Sequence, residues 1–207
     1  MDRIRALAVA LERRGMHLEY FDDGDAAREF MLARIPEGAT VMNGGSATLE
    51  GIGMLRALRE GRFDYLRPQI AATGEREART RLRRRASGAD YFVGGVNAIT
   101  MQGEILNADG SGNRIAAYAY TAGKVFLVAG INKVVPDIAA AFERLRNEAA
   151  VGECRALGKR TPCALTGRCD NYACEAPERQ CGKVLIIENE KIPGRITVVL
   201  IGQALGY

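Results

Sequence analysis

The sequence contains no tryptophan and only one histidine, His17. A single histidine excludes metal sites that are built from several imidazoles. A catalytic triad centred on histidine is also unfavourable, because His17 lies in an early turn, far in sequence from the candidate site described below. We therefore expect acid–base chemistry, where there is any, to depend on carboxylate, lysine, tyrosine or cysteine side chains.

The chain also lacks an apolar run of the roughly 18 residues that a membrane helix requires. Its first helical pattern is interrupted by arginines, which a secretory signal peptide does not tolerate in its apolar region. Charge is mixed, with 29 basic and 25 acidic residues and a net charge of +4, so composition does not favour nucleic acid as a partner. We expect a cytoplasmic protein that binds neither a membrane nor a nucleic acid.

The length of 207 residues and the hydrophobic fraction of 47% suit one globular domain, residues 1–207. Short β-branched runs alternate with segments of helical spacing. Residues 125–129 form the continuous apolar run expected of a central parallel strand, and Pro136 then suits the first turn of a helix. This alternation predicts an α/β fold with a mostly parallel sheet and helices on both faces.

Two predicted strands end with the same pattern of a glycine, an apolar residue and an asparagine. Residues 91–95 lead into Val96-Asn97, and residues 125–130 lead into Ile131-Asn132-Lys133. Ligands of open α/β sheets bind beyond the carboxyl ends of the strands. The two strand ends are therefore predicted to form two walls of one site.

A third candidate wall is the segment Gly44-Gly45-Ser46-Ala47-Thr48. It lies between a short predicted strand and a helical pattern. Glycines allow close backbone approach, and free N–H groups and hydroxyls can bind a phosphate or carboxylate. The alternative is a tight turn in which Ser46 only caps a helix.

The candidate ligand-binding residues combine hydroxyl, amide and cationic side chains with the two loop glycines. They are Gly44, Gly45, Ser46, Thr48, Asn97, Asn113, Arg114, Asn132 and Lys133. Asparagines after strands can instead hold turns. No strong general base is evident, and Glu104 and Lys133 are the weak catalytic candidates.

Residues 75–86 form a helix that carries six arginines but no aromatic residue. A site for single-stranded nucleic acid would combine basic and aromatic side chains. This pattern favours a solvated face or a contact between copies of the chain, which would form a homo-oligomer.

All five cysteines fall in the segment 154–181. Four of them, Cys163, Cys169, Cys174 and Cys181, lie in loop-like sequence and would suit zinc or an iron–sulfur cluster. Their spacing matches neither the usual zinc pairs nor a ferredoxin motif. Disulfides and inert buried thiols are the two alternatives.

Several segments together carry a family resemblance. They are residues 44–49, 95–99, 109–114, 130–133, 161–163, 194–196 and 205–206. In this order they resemble the LUD (lactate utilisation) domain family, over about residues 1–207. The resemblance implies a three-layer α/β fold similar to ribose-5-phosphate isomerase, glucosamine-6-phosphate isomerase and CoA-transferases. It also implies a link to bacterial oxidation of lactate to pyruvate beside iron–sulfur partner proteins.

The chain departs from the expected family pattern at two places. Met101 stands where an acidic residue is expected, which weakens carboxylate catalysis there. The segment between Cys169 and Cys174 carries two extra residues, which puts the convergence of the thiols in question.

Two functions follow as hypotheses. The first is a protein that binds a small anionic metabolite and supports L-lactate oxidation to pyruvate. The second is an accessory subunit without its own catalysis, whose cysteines hold iron–sulfur or zinc and which docks onto iron–sulfur redox subunits. A ligand sensor on the same fold is a third, weaker hypothesis.

Overall fold

The computed structural model describes residues 2–207, and Met1 lies outside the described part. Ten strands are present in this part of the chain. They are β1 (His17–Phe21), β2 (Thr40–Asn43), β3 (Asp64–Tyr65), β4 (Tyr91–Gly95), β5 (Ala98–Thr100), β6 (Ile105–Asp109), β7 (Lys124–Gly130), β8 (Val134–Val135), β9 (Lys183–Ile187) and β10 (Ile196–Ile201).

Ten α-helices accompany the strands in residues 2–207. They are α1 (Asp2–Arg13), α2 (Gly24–Arg34), α3 (Ala47–Gly51), α4 (Met54–Glu60), α5 (Leu66–Ala72), α6 (Arg76–Ala86), α7 (Asn113–Ala116), α8 (Ile138–Arg144), α9 (Ala150–Ala156) and α10 (Pro162–Thr166). Two π-helical turns, Ala117–Thr121 and Leu145–Ala149, extend α7 and join α8 to α9. A 3₁₀ turn, Ile131–Lys133, follows β7.

Six strands form one parallel sheet in the order β1-β10-β7-β4-β2-β3. The central strands β10 and β7 are almost fully buried, as the apolar run at residues 125–129 predicted. The α/β prediction with a mostly parallel sheet is confirmed.

Alternating side chains of these strands enter two separate cores, because successive residues of a strand point to opposite faces. On β7, Val125 and Leu127 pack in the core that also contains Leu7 and Leu11 of α1. Phe126, one residue along, packs in the other core, with α2, α3 and α4. Helical layers on both faces therefore bury the sheet.

A second sheet of four strands, in the order β8-β5-β6-β9, was not foreseen from the sequence. It contains a β5–β6 hairpin, with Gly103 in the turn at φ 87°. The last two strands, β9 and β10, are consecutive in the chain but lie in different sheets. No helix in residues 2–207 is long and apolar enough to cross a membrane.

Candidate functional site

A cleft of about 770 Å³ opens where β2 and β4 end, beside the second sheet. The loop after β2 and the segment after β4 both line it, as the rule for parallel α/β sheets predicts. Seven of the nine predicted ligand-binding residues line the cleft: Gly44, Gly45, Ser46, Asn97, Asn113, Arg114 and Lys133. Thr48 and Asn132 do not line it.

The Gly44–Ser46 loop joins β2 to α3. Ser46 Oγ accepts a hydrogen bond from Leu49 N (3.3 Å), so Ser46 caps the helix, as the simpler interpretation predicted. Gly45 is exposed to the cleft, and no other group lies near the position of a Cβ there. A Cβ on Gly95 would lie 2.5 Å from Ser46 Oγ. The Gly44–Ser46 loop can therefore approach the end of β4 this closely only because residue 95 is a glycine.

Lys133 is brought to the cleft by the 3₁₀ turn after β7, and its side chain is only 3% exposed. Its Nζ donates a hydrogen bond to Thr48 Oγ1 at 2.8 Å. Burial, together with the nearby positive charges of Arg144 and Arg114, lowers the pKa of Lys133 to about 7. Within residues 2–207, no carboxylate lies at salt-bridge distance from this amine.

The two asparagines of the repeated strand-end pattern both have structural contacts. Asn97 Oδ1 accepts a hydrogen bond from Ala108 N (2.7 Å), and Asn132 Oδ1 accepts one from Leu205 N (3.1 Å). Their main-chain carbonyls accept from the same buried guanidinium, with Arg144 Nη1 at 2.7 Å from Asn97 O and Arg144 Nε at 3.1 Å from Asn132 O. The repeated pattern marks the two places where the chain passes from the parallel sheet into the second sheet.

Asp109 and Arg114 form another wall. Asp109 Oδ1 accepts from the backbone N–H groups of Ser111 (2.9 Å) and Gly112 (2.8 Å), which fixes the glycine-rich turn. Arg114 lies 3.5 Å from the other oxygen of Asp109 and donates to the carbonyls of Gly95 in β4 and Ala108 in β6. Its guanidinium is thus held rigidly beside the cleft.

The remaining wall comes from residues that the sequence analysis did not select. They are Arg67, Arg76, Arg79, Thr80, Arg83, Glu153, Gln180 and Tyr207. The helix α6 was expected to present a solvated face or a subunit contact, but one of its faces borders the cleft. The spacing of Arg76, Arg79 and Arg83 places them on one side of a helix, and this was the available signal.

The other catalytic candidate, Glu104, lies outside the cleft. It forms an ion pair with Arg14 (3.1 Å) and accepts a hydrogen bond from Thr100 in the β5–β6 turn. Met101, in the same turn, lies against Arg3 of α1, where the thioether accepts from Nε at 3.4 Å. This turn therefore connects α1 to the second sheet and does not contact the cleft.

The cysteine-rich segment lies beside the cleft. All five thiols are free, so the disulfide alternative is not found. All five line one small void, and Cys181 and Gln180 border both this void and the cleft. Burial raises the pKa of the Cys154 thiol to about 11. In residues 2–207, no three thiol, imidazole or carboxylate groups are close enough to hold a metal ion as they stand.

Comparison with solved structures shows similarity to a DUF162 family protein from Deinococcus radiodurans, at 12% identity, a TM-score of 0.53 and 97% coverage of both chains. Ribose 5 phosphate isomerase A from Neisseria gonorrhoeae is matched more weakly, at 15% identity, a TM-score of 0.36 and coverage of 56% of this chain and 54% of that one. The eIF2B beta protein from Chaetomium thermophilum is matched at 17% identity, a TM-score of 0.38 and coverage of 56% and 44%.

No curated protein sequence matches the chain significantly. The sequence model of the LUD domain matches residues 4–201, which is nearly the whole chain. The chain therefore belongs to the LUD domain family.

Proposed function

We propose that the cleft binds a small anionic metabolite, of the carboxylate class to which lactate and pyruvate belong. The observation that carries this proposal is Lys133, a buried amine without a carboxylate partner in the described chain, facing a cleft with six basic and two acidic side chains. An isolated buried cation is costly, and an anion bound beside it offsets that cost. L-lactate oxidation to pyruvate is the process this binding would support.

The two acidic side chains of the cleft are already engaged. Asp109 is paired with Arg114, and Glu153 accepts a hydrogen bond from Tyr207 at 2.9 Å. The cleft therefore offers an incoming carboxylate a net excess of positive charge. In this proposal Lys133 neutralises the ligand, and the Gly45 backbone with the Asn97 and Asn113 amides orients it.

Lys133 is also the group of the cleft with a pKa near neutrality. An amine with such a pKa can take up or release a proton at physiological pH, which general acid–base catalysis requires. If the protein has catalytic activity of its own, Lys133 is the residue we assign to proton transfer.

Thermal unfolding with L-lactate, pyruvate and inorganic phosphate tests the binding. A ligand that binds only the folded protein raises the melting temperature. We expect at least one of the three to stabilise the native protein, and Lys133→Met to lose that stabilisation. Lys124→Met is the matched control, because Lys124 is exposed at the start of the same strand that leads to Lys133.

The proposal fails if none of these compounds stabilises the native protein at millimolar concentration. It also fails if Lys133→Met keeps the full shift while remaining folded by circular dichroism.

A second candidate function is supported by the thiol void. We infer that the cysteine-rich segment holds zinc or an iron–sulfur cluster and serves as an accessory site in a redox complex. Four thiolates with a metal centre carry excess negative charge, and the void is lined by two guanidiniums, those of Arg146 and Arg179, against one carboxylate, that of Asp170. Arg179 Nε is buried and has no hydrogen-bond partner, so a further acceptor at this position would satisfy it.

Protein purified without oxygen and analysed for zinc, iron and sulfide tests this candidate. We expect a stoichiometric metal that is lost when Cys163, Cys174 and Cys181 are replaced together by serine. This candidate would be excluded if the purified protein contained no metal and its melting temperature did not change when zinc or iron and sulfide were supplied. A metal in the serine variant would place the ion elsewhere.

A further inference from the structure

We propose that the cleft-facing side of α6 is a phosphate subsite, so that the ligand carries a phosphate group in addition to its carboxylate. This inference rests on the proposed binding function of the cleft and specifies the class of ligand. It concerns Arg76, Arg79 and Arg83 of α6, with Arg67 of α5 beside them.

The two carboxylates at the start of α6 lie near an arginine that faces away from the cleft. Arg81, which does not line the cleft, lies 3.7 Å from Glu75 and 3.8 Å from Glu77. The cleft-facing arginines, by contrast, have no carboxylate at salt-bridge distance within residues 2–207. Glu75 and Glu77 thus lie near Arg81, and the charge of the cleft-facing arginines is left without a carboxylate partner in this part of the chain.

Neutral contacts hold two of the guanidiniums at the cleft. Arg83 Nη2 donates to Asn113 Oδ1 at 3.0 Å, across to the glycine-rich turn of the opposite wall. Arg67 Nη1 donates to Asn43 O at 3.1 Å, next to the Gly44–Ser46 loop. Both side chains keep their charge and further N–H donors for a ligand, because each contact uses only part of the guanidinium.

The cleft also has room for a ligand larger than lactate. A volume of about 770 Å³ lies within the roughly 300–1,000 Å³ range of sites that enclose drug-sized molecules. A three-carbon acid at Lys133 would leave most of this space to water. A longer molecule would reach from Lys133 to α6.

Phosphate is the anion that best matches such a wall. The planar guanidinium presents forked donors that fit two oxygens of one phosphate, and a dianion is better matched than a single carboxylate to several clustered cations. The ligand class is thus a phosphorylated organic acid with its two anionic groups at opposite ends.

The test compares 6-phosphogluconate with gluconate, which differ only in the terminal phosphate. Calorimetric titration is carried out on the native protein, on the double variant Arg76→Gln/Arg79→Gln and on Arg81→Gln as the matched control. We expect 6-phosphogluconate to bind the native protein at least about tenfold more tightly than gluconate, because charge-assisted hydrogen bonds are the stronger ones. The double variant should lose that difference, and Arg81→Gln should retain it.

The inference would be overturned if the native protein bound the two acids with equal affinity. It would also be overturned if Arg81→Gln lost the preference for 6-phosphogluconate as fully as the double variant does. Lys133→Met separates this inference from the proposed function. If Lys133→Met abolishes gluconate binding while the α6 substitutions have no effect, the cleft binds a carboxylate and the phosphate subsite is refuted. If 6-phosphogluconate binding depends on α6 but not on Lys133, the subsite stands and the assignment of Lys133 is wrong.

Discussion

Lys133 Nζ donates a hydrogen bond to Thr48 Oγ1 at 2.8 Å, and this hydroxyl in turn lies 3.2 Å from the carbonyl of Leu205. The amine thus has a neutral partner in a buried position. A charged amine there lacks the compensation that a carboxylate would give, and its protonation becomes unfavourable.

Stability should therefore depend on pH through Lys133. The pKa of Lys133 is about 7 in the folded protein, against the ordinary lysine value of 10.5. Between these values the unfolded chain binds the proton and the folded protein does not, so this group makes stability rise with pH across the window. We expect Lys133→Met to be more stable than the native protein below pH 7, and this advantage to fall by about 1.4 kcal/mol for each pH unit above it.

Urea unfolding of both proteins between pH 6 and pH 10, under reducing conditions, measures this difference. An advantage that does not change with pH would mean that Lys133 is not titrating in this range.

Ligand binding should show the opposite dependence on pH. A bound anion favours the charged amine and raises its pKa, so binding near neutral pH takes up a proton. Affinity for a carboxylate should therefore decrease as the pH rises above about 7. Calorimetric titration in two buffers of different ionisation enthalpy gives the number of protons taken up. A value of zero at pH 8 would contradict the assignment of Lys133 to the site.

Arg144 should be important for stability although it does not line the cleft. Its side chain is 4% exposed and holds the carbonyls of Asn97 and Asn132. Replacing it with methionine leaves these two partly buried carbonyls without the guanidinium donor, at an expected cost of roughly 2–4 kcal/mol. Urea unfolding measures the loss.

The control for Arg144 is Glu148→Gln. Glu148 lies 3.6 Å from Arg144 but is mostly exposed, so losing this ion pair should change stability by less than about 1 kcal/mol. Equal losses in the two variants would indicate that charge, and not the two carbonyl contacts, is what matters.

Two loop glycines should respond differently to alanine. At Gly95 a Cβ would displace the Ser46 hydroxyl that caps α3, so Gly95→Ala should cost about 1–2 kcal/mol. At Gly45 no atom lies within 4 Å of the added carbon, and stability should change by about 0.5 kcal/mol or less. The effect of Gly45→Ala should instead appear in ligand affinity. A large loss of stability in Gly45→Ala would show that the loop packs differently.

The sequence predicted the main sheet well because its strands carry local signals. Residues 125–129 are all apolar, and they lie in the central strand β7. The second sheet could not be predicted in the same way, because it depends on which distant segments pair. Lys183–Ile187, for example, joins the β5–β6 hairpin and not β10, and no local pattern distinguishes the two choices.

The site was predicted where it follows strand ends and missed where it depends on tertiary packing. Gly45, Ser46 and Lys133 follow strands of the parallel sheet, and such positions are recognisable from the sequence. The spacing of Arg79 and Arg83 indicated that they share one face of a helix. It did not indicate that this face borders the cleft. The side chains of Asn97 and Asn132 likewise bind backbone groups that are distant in sequence and that come near only in the folded chain.

The walls of the cleft differ in how firmly they belong to the core. The sheet ends and the Asp109–Arg114 turn are tied to buried structure, whereas α6 contributes a single buried residue, Ala86. Substitutions along its cleft-facing side would therefore alter the charge and shape presented to a ligand without removing core packing. The ligand preference of the cleft is thus adjustable through α6 at little cost to the stability of the fold.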